Sequence, residues 1–447
     1  MQSAIQGLKR STSVKTLVIG GLILILLIPV SMIKGVVHDR DSIHQQARHD
    51  IMRSWGNEQL IAGPVLIVPF TLRHFNSNGG EIIEESRLYL LPESLNFDTR
   101  VNPEIRYRGL HKVPIYSAAI SIDGEFNSPN IELLGIETAR IHWDKASVAI
   151  FVSDARAIAE TPVIDINDKA RKFEAGGQQF FGDMPPPIIA PIGALIDSAS
   201  AEQTVHFSMT LHVNGSDSLR FTPLGDTTRV SMSSDWSSPS FLGNYLPKSR
   251  QITGDGFTAD WQIASLGRAL PWQWTDRLRP VAQAHQSAFG VNFYLPVSLY
   301  QLTLRATKYA VLFIGLSFVA YFLFEVMANL RLHPLQYLLV GFSNAIFYLL
   351  LLSLAEHIGF GWAYLVSASA SAGLIAGYSA AVLSGRKRGL MMALILAGLY
   401  SFLYMTLKAE SYALLAGAIG LWITLALVMY LTRRIDFYAQ ANSVAND

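Results

Sequence analysis

Six apolar stretches, each close to 20 residues long, constrain this chain more than any other feature of its sequence. They cover residues 14–33, 309–328, 335–355, 362–383, 389–407 and 412–431. The hydrocarbon core of a bilayer is about 30 Å thick and needs about 20 apolar residues of helix to cross it. The 447-residue chain is 50% hydrophobic and 15% charged, with a mean hydropathy of +0.29, which is too apolar for an ordinary soluble protein. We therefore predict an α-helical integral membrane protein with about six transmembrane helices.

The first apolar stretch has the flanks of a targeting sequence. It follows Lys9, Arg10 and Lys15, as a signal sequence would. However, its apolar run is longer than a typical signal core, and no small-residue cleavage site follows it. We interpret residues 14–33 as an uncleaved signal anchor.

The distribution of basic residues predicts the orientation. If the chain crosses the membrane six times, the short loops on one side contain only Lys408. The opposite side, which holds both chain ends, contains the basic cluster SGRKRG (384–389) and also Lys9, Arg10, Lys15, Arg331, Arg433 and Arg434. Basic residues in short loops remain in the cytoplasm. We therefore predict cytoplasmic ends at residues 1–13 and 432–447, in a multi-pass protein of a bacterial inner membrane. The basic cluster is read as a topology signal, not as a nucleic-acid site.

This orientation places residues 34–308 in the periplasm as one insertion between the first two spans. The insertion carries 25 Lys and Arg against 29 Asp and Glu, a net charge of −4. It therefore offers no basic face for nucleic acid. The chain has no cysteine, but a domain of this length can bury a sufficient core without disulfides.

Two kinds of pattern occur within the insertion. Residues 41–56 place Ile43, Ala47, Ile51 and Trp55 on one helical face, which predicts a juxtamembrane amphipathic helix. After this helix, short runs rich in β-branched and aromatic residues alternate with turn signals. Such runs predict an antiparallel sandwich or a related β-rich fold.

The motif search predicts no catalytic, cofactor or metal site. The sequence has no phosphate-binding loop, no dinucleotide fingerprint, no zinc-protease motif and no nucleophile elbow. His38, His44 and His49 are spaced by six and five residues, so they do not share a helical face as zinc ligands would.

Two short patterns in the insertion receive structural interpretations. Asp154 and Arg156 lie two residues apart, on one face of a strand, where we expect an ion pair rather than an acid–base pair. Asn214 begins an Asn-Gly-Ser glycosylation match, which we interpret as a turn.

Polar residues near the span ends receive topological roles. Arg331 and His333 fall in the predicted turn between the second and third spans, where Pro334 suits the first turn of a helix. Glu325 is close enough to reach the interface or to pair with Arg331, with a proton relay as the alternative. Glu356 and its neighbour His357 are expected to form interfacial pairs near the loop containing Lys408 and Glu410.

Asn344 differs because it lies near the middle of the third span. We expect its amide to hydrogen-bond to a neighbouring helix, with a transport pathway as the alternative. The fourth span offers Ser367, Ser369 and Ser371 as partners. Its Gly373 and Gly377 allow close helix packing, either inside the bundle or in a homodimer.

Several long motifs resemble one bacterial family. They are GPVLIVPF (63–70), LPESL (91–95), WSSPSFLGNYLP (236–247), YQLTLRATKYAVLFIGLSF (300–318) and RLHPLQYLLVGFSNAIFYLLLLSLAEHIGF (331–360). With these motifs the chain resembles the CreD family of inner-membrane, cell envelope integrity proteins over nearly its whole length, less so after about residue 385. The resemblance implies a Gram-negative inner membrane, a large periplasmic domain, and a role in envelope integrity linked to two-component signalling and the β-lactam response. It supplies no catalytic residues.

Three functional hypotheses follow. The first is a non-enzymatic envelope protein whose periplasmic domain binds a protein or cell-wall partner, with the lipid bilayer around its helices. The second is a transporter or channel subunit, which a polar cavity through the bundle would favour. The third is a membrane-bound enzyme acting on the cell wall, which a cleft with perturbed carboxylates would favour.

Overall fold

A computed structural model describes residues 12–433, except 76–80, 131–140, 177–185, 196–203, 268–269, 277–286, 294–298, 328–331, 384 and 410–411. The chain divides into two compact units. The helical unit contains Met1–Gln45 and Val297–Asp447, and the sandwich domain contains Gln46–Pro296. The sandwich domain lies within the predicted insertion of residues 34–308, whose boundaries in the periplasm stay a prediction. The helix Leu299–Lys308 belongs to the helical unit.

The helices are α1 (Thr12–Trp55), α2 (Leu299–Lys308), α3 (Ala310–Met327), α4 (Pro334–Ile358), α5 (Phe360–Val382), α6 (Arg386–Lys408) and α7 (Ala413–Thr432). The first helix corrects a prediction. The signal anchor at 14–33 and the amphipathic helix at 41–56 are parts of one 44-residue helix. The residues that join them contain only Gly35 as a weak breaker, and a single glycine costs a helix about 1 kcal/mol.

Within the described part of the chain, four helices are long and apolar enough to cross a membrane, at Thr16–Trp55, Pro334–Ile358, Phe360–Val382 and Arg386–Lys408. The pair α2 and α3, which meets at a bend of 47°, counts as a fifth if the two helices form one span. In α7, the segment Leu415–Tyr430 is a shorter apolar helix. A membrane protein with a β-rich domain after its first apolar helix is confirmed, whereas the count of six spans stays a prediction.

The core of the helical unit surrounds α4. This helix buries Tyr337, Val340, Phe347 and Leu351, among others. Gly341 shows why close packing needs a small residue here, because a methyl group at this position would collide with the side chain of Leu26 on α1.

The sandwich domain contains two sheets. Its strands are β1 (Gln59–Phe75), β2 (Glu81–Leu90), β3 (Ser94–Arg108), β4 (His111–Phe126), β5 (Ser147–Val152), β6 (Val163–Ile166), β7 (Lys169–Lys172), β8 (Glu174–Ala175), β9 (Ile188–Pro191), β10 (Val205–Ser216), β11 (Ser218–Phe221), β12 (Thr227–Ser234), β13 (Pro239–Gly243), β14 (Ser249–Thr253), β15 (Gly256–Ala264), β16 (Gln273–Thr275) and β17 (Phe289–Phe293).

One sheet has the order β13-β17-β11-β1-β5-β9-β8, with β2 paired to β1 and β16 paired to β2. The other has the order β14-β15-β12-β3-β4-β10-β6-β7. Most pairs are antiparallel, as predicted, but β1 with β11 and β12 with β3 are parallel.

The two sheets pack face to face. Strand β10 alternates buried and exposed side chains along most of its length, so one face lies in the core and the other faces solvent. Aromatic pairs join the sheets: the ring centroids of Phe97 and Phe221 are 4.8 Å apart, and those of Trp261 and Phe289 are 5.7 Å apart. The sandwich-like fold predicted from the alternating pattern is therefore confirmed.

The last turns of α1 are fixed to the sandwich domain. The Trp55 indole N–H donates to the carbonyl of Tyr116 at 3.1 Å, and the Ser216 hydroxyl donates to the carbonyl of Gly56 at 2.8 Å. Gly56 has φ +148°, and a methyl group there would lie 2.7 Å from the Asn214 carbonyl oxygen. Only glycine fits this close approach. The predicted turn at Asn214 is wrong, since Asn214 and Ser216 both lie within β10.

Candidate functional site

A set of buried polar side chains lies among the membrane-spanning helices. We call it the polar centre; its members are Ser317, Tyr321, Glu325, Ser343, Asn344, Tyr348, Tyr364, Ser367, Ser371, Ser379 and Tyr400. Polar atoms are costly to bury in an apolar environment unless they are hydrogen-bonded. A member whose polar atoms are hydrogen-bonded within the protein is explained by a structural role, whereas a member without such bonds is a candidate for a functional role.

A hydrogen-bonded network in the polar centre joins three helices. The Ser371 hydroxyl on α5 donates to the carbonyl of Ser343 on α4 at 3.1 Å. The Tyr400 hydroxyl on α6 donates to the Ser371 hydroxyl at 2.9 Å. The Tyr364 hydroxyl then donates to the carbonyl of Tyr400 at 2.7 Å. These bonds hold α4, α5 and α6 together.

Asn344 does not take part in this network. It is 0% exposed, yet neither atom of its amide has a hydrogen-bond partner within the part of the chain that the structure describes. Its neighbour Ser343 contacts α5 through its side chain, with the Ser343 and Ser371 hydroxyl oxygens 3.3 Å apart, because one step along a helix turns a side chain by about 100°. Tyr348, four residues further along α4, also has a buried hydroxyl without a partner among the described residues.

Glu325 anchors the connection between α3 and α4. Its carboxylate accepts from the backbone N–H of Leu332 at 2.9 Å and from the Tyr337 hydroxyl at 2.8 Å. Because the residue is only 5% exposed, these bonds compensate its burial. The expected partner Arg331 lies outside the described residues.

His333 and Glu356 also have defined partners. His333 caps α4, since its Nδ1 accepts from the backbone N–H of Leu335 at 3.2 Å and Pro334 follows it in the first turn. Glu356 accepts from the Tyr300 hydroxyl on α2 at 3.1 Å. The expected pairing of Glu356 near the loop of Lys408 and Glu410 stays a prediction, since Glu410 is not among the described residues.

Gly373 and Gly377 lie on an exposed face of α5. A methyl group added at either position would meet no heavy atom within 4 Å. Their small size is therefore not required by packing among the described residues of the helical unit. The homodimer that the sequence left open stays a prediction.

The sandwich domain carries a polar groove on the outer face of its eight-stranded sheet. This outer groove has a volume of about 500 Å³ and is lined by side chains that include Ser121, Asp123, Glu160, Asp165, Ser208, Thr210 and His212. Ser208 lies opposite Asp123 on one neighbouring strand and opposite Asp165 on the other. The two carboxylates are therefore separated by two strand spacings, about 10 Å. The groove offers carboxylates, hydroxyls and an imidazole on a rigid surface.

Two buried carboxylates lie elsewhere in the domain. Asp154 accepts two bonds from the Arg156 guanidinium, at 2.9 and 3.0 Å, which confirms the predicted ion pair. Chiefly because of this pair, the pKa of Asp154 is lowered. The Asn57 amide also donates to Asp154, at 2.9 Å. This second partner was not predictable from the sequence because it lies 97 residues away.

Asp217 is the second buried carboxylate, and sequence reasoning missed it. Burial raises its pKa, although the guanidinium of Arg48 acts in the opposite direction. Neither Asp154 nor Asp217 lines the outer groove. Among the residues that the structure describes, no three His, Cys, Asp or Glu side chains are grouped to hold a metal ion. The absence of a resident metal nevertheless stays a prediction.

These features define a class: a multi-pass helical membrane protein with a large β-sandwich domain inserted after its first apolar helix. Comparison with known sequences gives the family. Residues 11–438 match the family model described as inner membrane protein CreD, and the chain belongs to that family. It is 33% identical over 422 residues to inner membrane protein CreD of Escherichia coli (strain K12), covering 94% of this chain and 92% of the relative. The family supports an inner-membrane location, and the relative's name describes a location and not a reaction.

Proposed function

We propose that the protein supports cell envelope integrity under envelope stress, including exposure to β-lactams, and that it does so by binding rather than by catalysis. Its sandwich domain extends into the periplasm and uses the outer groove to bind a partner. The outer groove carries this proposal because its polar side chains come from three strands and are exposed together.

The chemistry of the groove suggests the kind of partner. Asp123, Glu160 and Asp165 supply negative charge, and Ser121, Ser208 and Thr210 supply hydroxyls. A protein segment that presents Lys or Arg together with backbone amides would complement this surface. We therefore favour a basic segment of a periplasmic protein over a cell-wall glycan, since no Phe, Tyr or Trp among the described residues lines the groove for stacking on sugar rings.

A binding role also agrees with the state of the buried carboxylates. Asp154 and Asp217 are each engaged by an arginine, Arg156 and Arg48 respectively. A carboxylate held in this way supports the structure rather than a proton transfer to a substrate in the groove.

Crosslinking in cells tests the proposal. A photoreactive amino acid placed at Thr210, in the groove, should capture a defined partner when cells are stressed with a β-lactam. The same amino acid at Ser240, an exposed position on the other sheet, is the control. Equal capture at both positions, or capture of glycan alone at Thr210, would contradict the proposal.

Complementation of a deletion strain gives an independent test. The double variant Asp123→Asn with Asp165→Asn should fail to restore β-lactam tolerance while the protein remains abundant in the membrane. Asp168→Asn removes the same charge in the nearby turn, where φ of +66° suits asparagine, and should complement fully. Full complementation by the double variant would argue against the outer groove.

One observation favours a second candidate, a transporter or channel subunit. Asn344 is fully buried with both amide atoms unpaired among the described residues, and buried polar groups in membrane helices often line transport paths. If transport is the function, Asn344→Leu should abolish tolerance without lowering stability or abundance.

A further inference from the structure

A second concave surface lies in the helical unit, between α5 and α6. This helix groove has a volume of about 650 Å³. Its buried part is formed by Tyr364, Ala368 and Tyr400, and its rim includes Trp362 and Met405, which are each 68% exposed. The groove shares Tyr364 and Tyr400 with the polar centre but opens to the exposed surface of α5 and α6, and the proposed function does not use it.

Small side chains create the helix groove. Ala368, Ser369 and Ala372 on α5 face Ala397 and Ser401 on α6 across the gap. Residues at these positions are too short to fill the space between two helices whose axes are separated by about 8–10 Å. The result is a channel along the pair of helices that is open on one side.

Two of the tyrosines that line the groove, Tyr364 and Tyr400, use their hydroxyls for bonds within the protein. The Tyr364 hydroxyl is bonded to the Tyr400 carbonyl and the Tyr400 hydroxyl to Ser371. Their polar atoms are therefore satisfied within the protein. Apart from the hydroxyls of Ser369 and Ser401, the surface left for a ligand is mostly aromatic and aliphatic, which suits an apolar molecule.

The surroundings of the groove identify that molecule. Both α5 and α6 meet the criteria for membrane spans, so an opening on their exposed surface faces lipid. The groove follows α5 from Gly361 to Ala372, which is about 17 Å of helix and close to the depth of one leaflet. A single acyl chain of a phospholipid has the length and the chemistry to fill it.

The end of the groove carries a cation. Lys408, the last residue of α6, is exposed, and its Nζ lies 5.8 Å from the ring centroid of Tyr404, which lines the groove. Exposed Trp362 opens α5 at the same end, because the two helices are antiparallel and joined at their other ends. Tryptophan and lysine at a span end are typical of the lipid headgroup level.

We propose that the helix groove binds one anionic phospholipid, with an acyl chain between α5 and α6 and the phosphate beside Lys408. The bound lipid fills a gap that the side chains of the two helices leave open. The site thereby couples the protein to the charge of the surrounding lipid.

Native mass spectrometry of the full-length protein, supplied with phosphatidylglycerol in detergent, tests acyl-chain binding. Ser369→Phe places a ring in the groove and should lower lipid retention about tenfold or more, as expected when a few methylene groups lose their contacts. Ala370→Phe, at the next exposed position and outside the groove, should retain the lipid. Ser401→Phe fills the groove from α6 and replaces Ser369→Phe if that variant does not fold.

Further measurements test whether Lys408 binds the lipid headgroup, and whether free phosphate or a second copy of the chain occupies the groove instead of a lipid. Lys408→Gln should reduce the preference for phosphatidylglycerol over phosphatidylcholine about fivefold, since a basic residue near anionic lipid contributes about 1 kcal/mol. Inorganic phosphate should not displace the lipid. Equal retention in Ser369→Phe and Ala370→Phe, displacement by phosphate, or dissociation of a dimer by the phenylalanine in the groove would each overturn the proposal.

Discussion

The guanidinium of Arg48 lies 2.5 Å from a carboxylate oxygen of Asp217, whose side chain is only 7% exposed. Arg48 belongs to the last turns of α1, and Asp217 occupies the turn between β10 and β11, with φ +60°. Together with the bonds of Trp55, Gly56 and Asn57, this pair makes residues 46–58 an integral part of the sandwich domain.

The sandwich domain should fold without the remaining helices if residues 46–58 are included. A secreted fragment of residues 46–296 is expected to be soluble and rich in β-structure, with no need for a metal, as its two-sheet core suggests. A fragment of residues 59–296 should be less stable, because Asp217 loses Arg48 and Asp154 loses Asn57. Circular dichroism and urea unfolding compare the two. Equal stability would show that the end of α1 contributes nothing, and β-structure that depends on added zinc would contradict the metal-free reading.

Asp217 should contribute more to the stability of the folded domain at low pH than at neutral pH, which is the reverse of the usual behaviour of a carboxylate. Its raised pKa means that the folded domain holds the proton more tightly than the unfolded chain does. Its contribution to stability is therefore greatest below the unfolded pKa, near 4, and is lost as the pH rises through the folded value. Relative to wild type, Asp217→Asn should gain stability between pH 4 and pH 7 in urea unfolding.

The partner variant provides a matched control for Asp217. Arg48→Met leaves a charged carboxylate buried without its cation, so it should cost about 1–3 kcal/mol at pH 7 and less at pH 4. An equal cost at both values would mean that Arg48 acts through packing and not through charge.

Asp154 should behave in the opposite way. Its lowered pKa means that its stabilising contribution is present above the unfolded value and is lost as the pH falls through the folded value. Asp154→Asn is therefore expected to destabilise the domain at pH 7, and its difference in unfolding free energy from wild type should shrink as the pH falls through the folded value. Arg156→Gln should act in the same direction with a smaller effect, because the arginine is largely exposed.

Variants of Asn344 and Ser371 should distinguish a role in helix association from a separate function of the buried Asn344 amide. Asn344→Leu is expected to leave the thermal stability of the purified protein unchanged or raised, since no hydrogen bond to a described residue is lost. Ser371→Ala removes bonds to both Ser343 and Tyr400 and should cost about 1 kcal/mol. A larger loss for Asn344→Leu than for Ser371→Ala would indicate that the amide has an essential partner.

Reporter fusions test the orientation predicted from the basic residues. A reporter active only in the periplasm should be active when fused at Gly361, at the start of α5, and inactive at Arg388, beside the cationic loop. Activity at Arg388 would contradict both the six-span count and the cytoplasmic termini.

Features that depend on local pattern were predictable from the sequence. The length of the apolar stretches indicated membrane-crossing helices, because a bilayer requires a minimum run of apolar residues and tolerates few charges. Alternation along segments such as β10 indicated a sheet with one buried face. Asp154 and Arg156 were assigned as a pair on the condition that the strand continues; the pair forms, but the strand ends at Val152 and Arg156 lies in a 3-10 turn.

Partners that are distant in sequence were decided only by the tertiary structure. Asn344 and Ser343 are equally placed in an apolar stretch, and only the rotation of α4 against α5 makes Ser343 the residue that bonds to Ser371. Glu356 bonds to Tyr300 because α2 is a separate helix that contacts α4, which no local pattern shows. Arg48 reaches Asp217 across 169 positions through strand pairings that the sequence leaves undetermined. Periodicity specifies which face of an element is apolar, but the element that covers this face depends on how the whole chain packs.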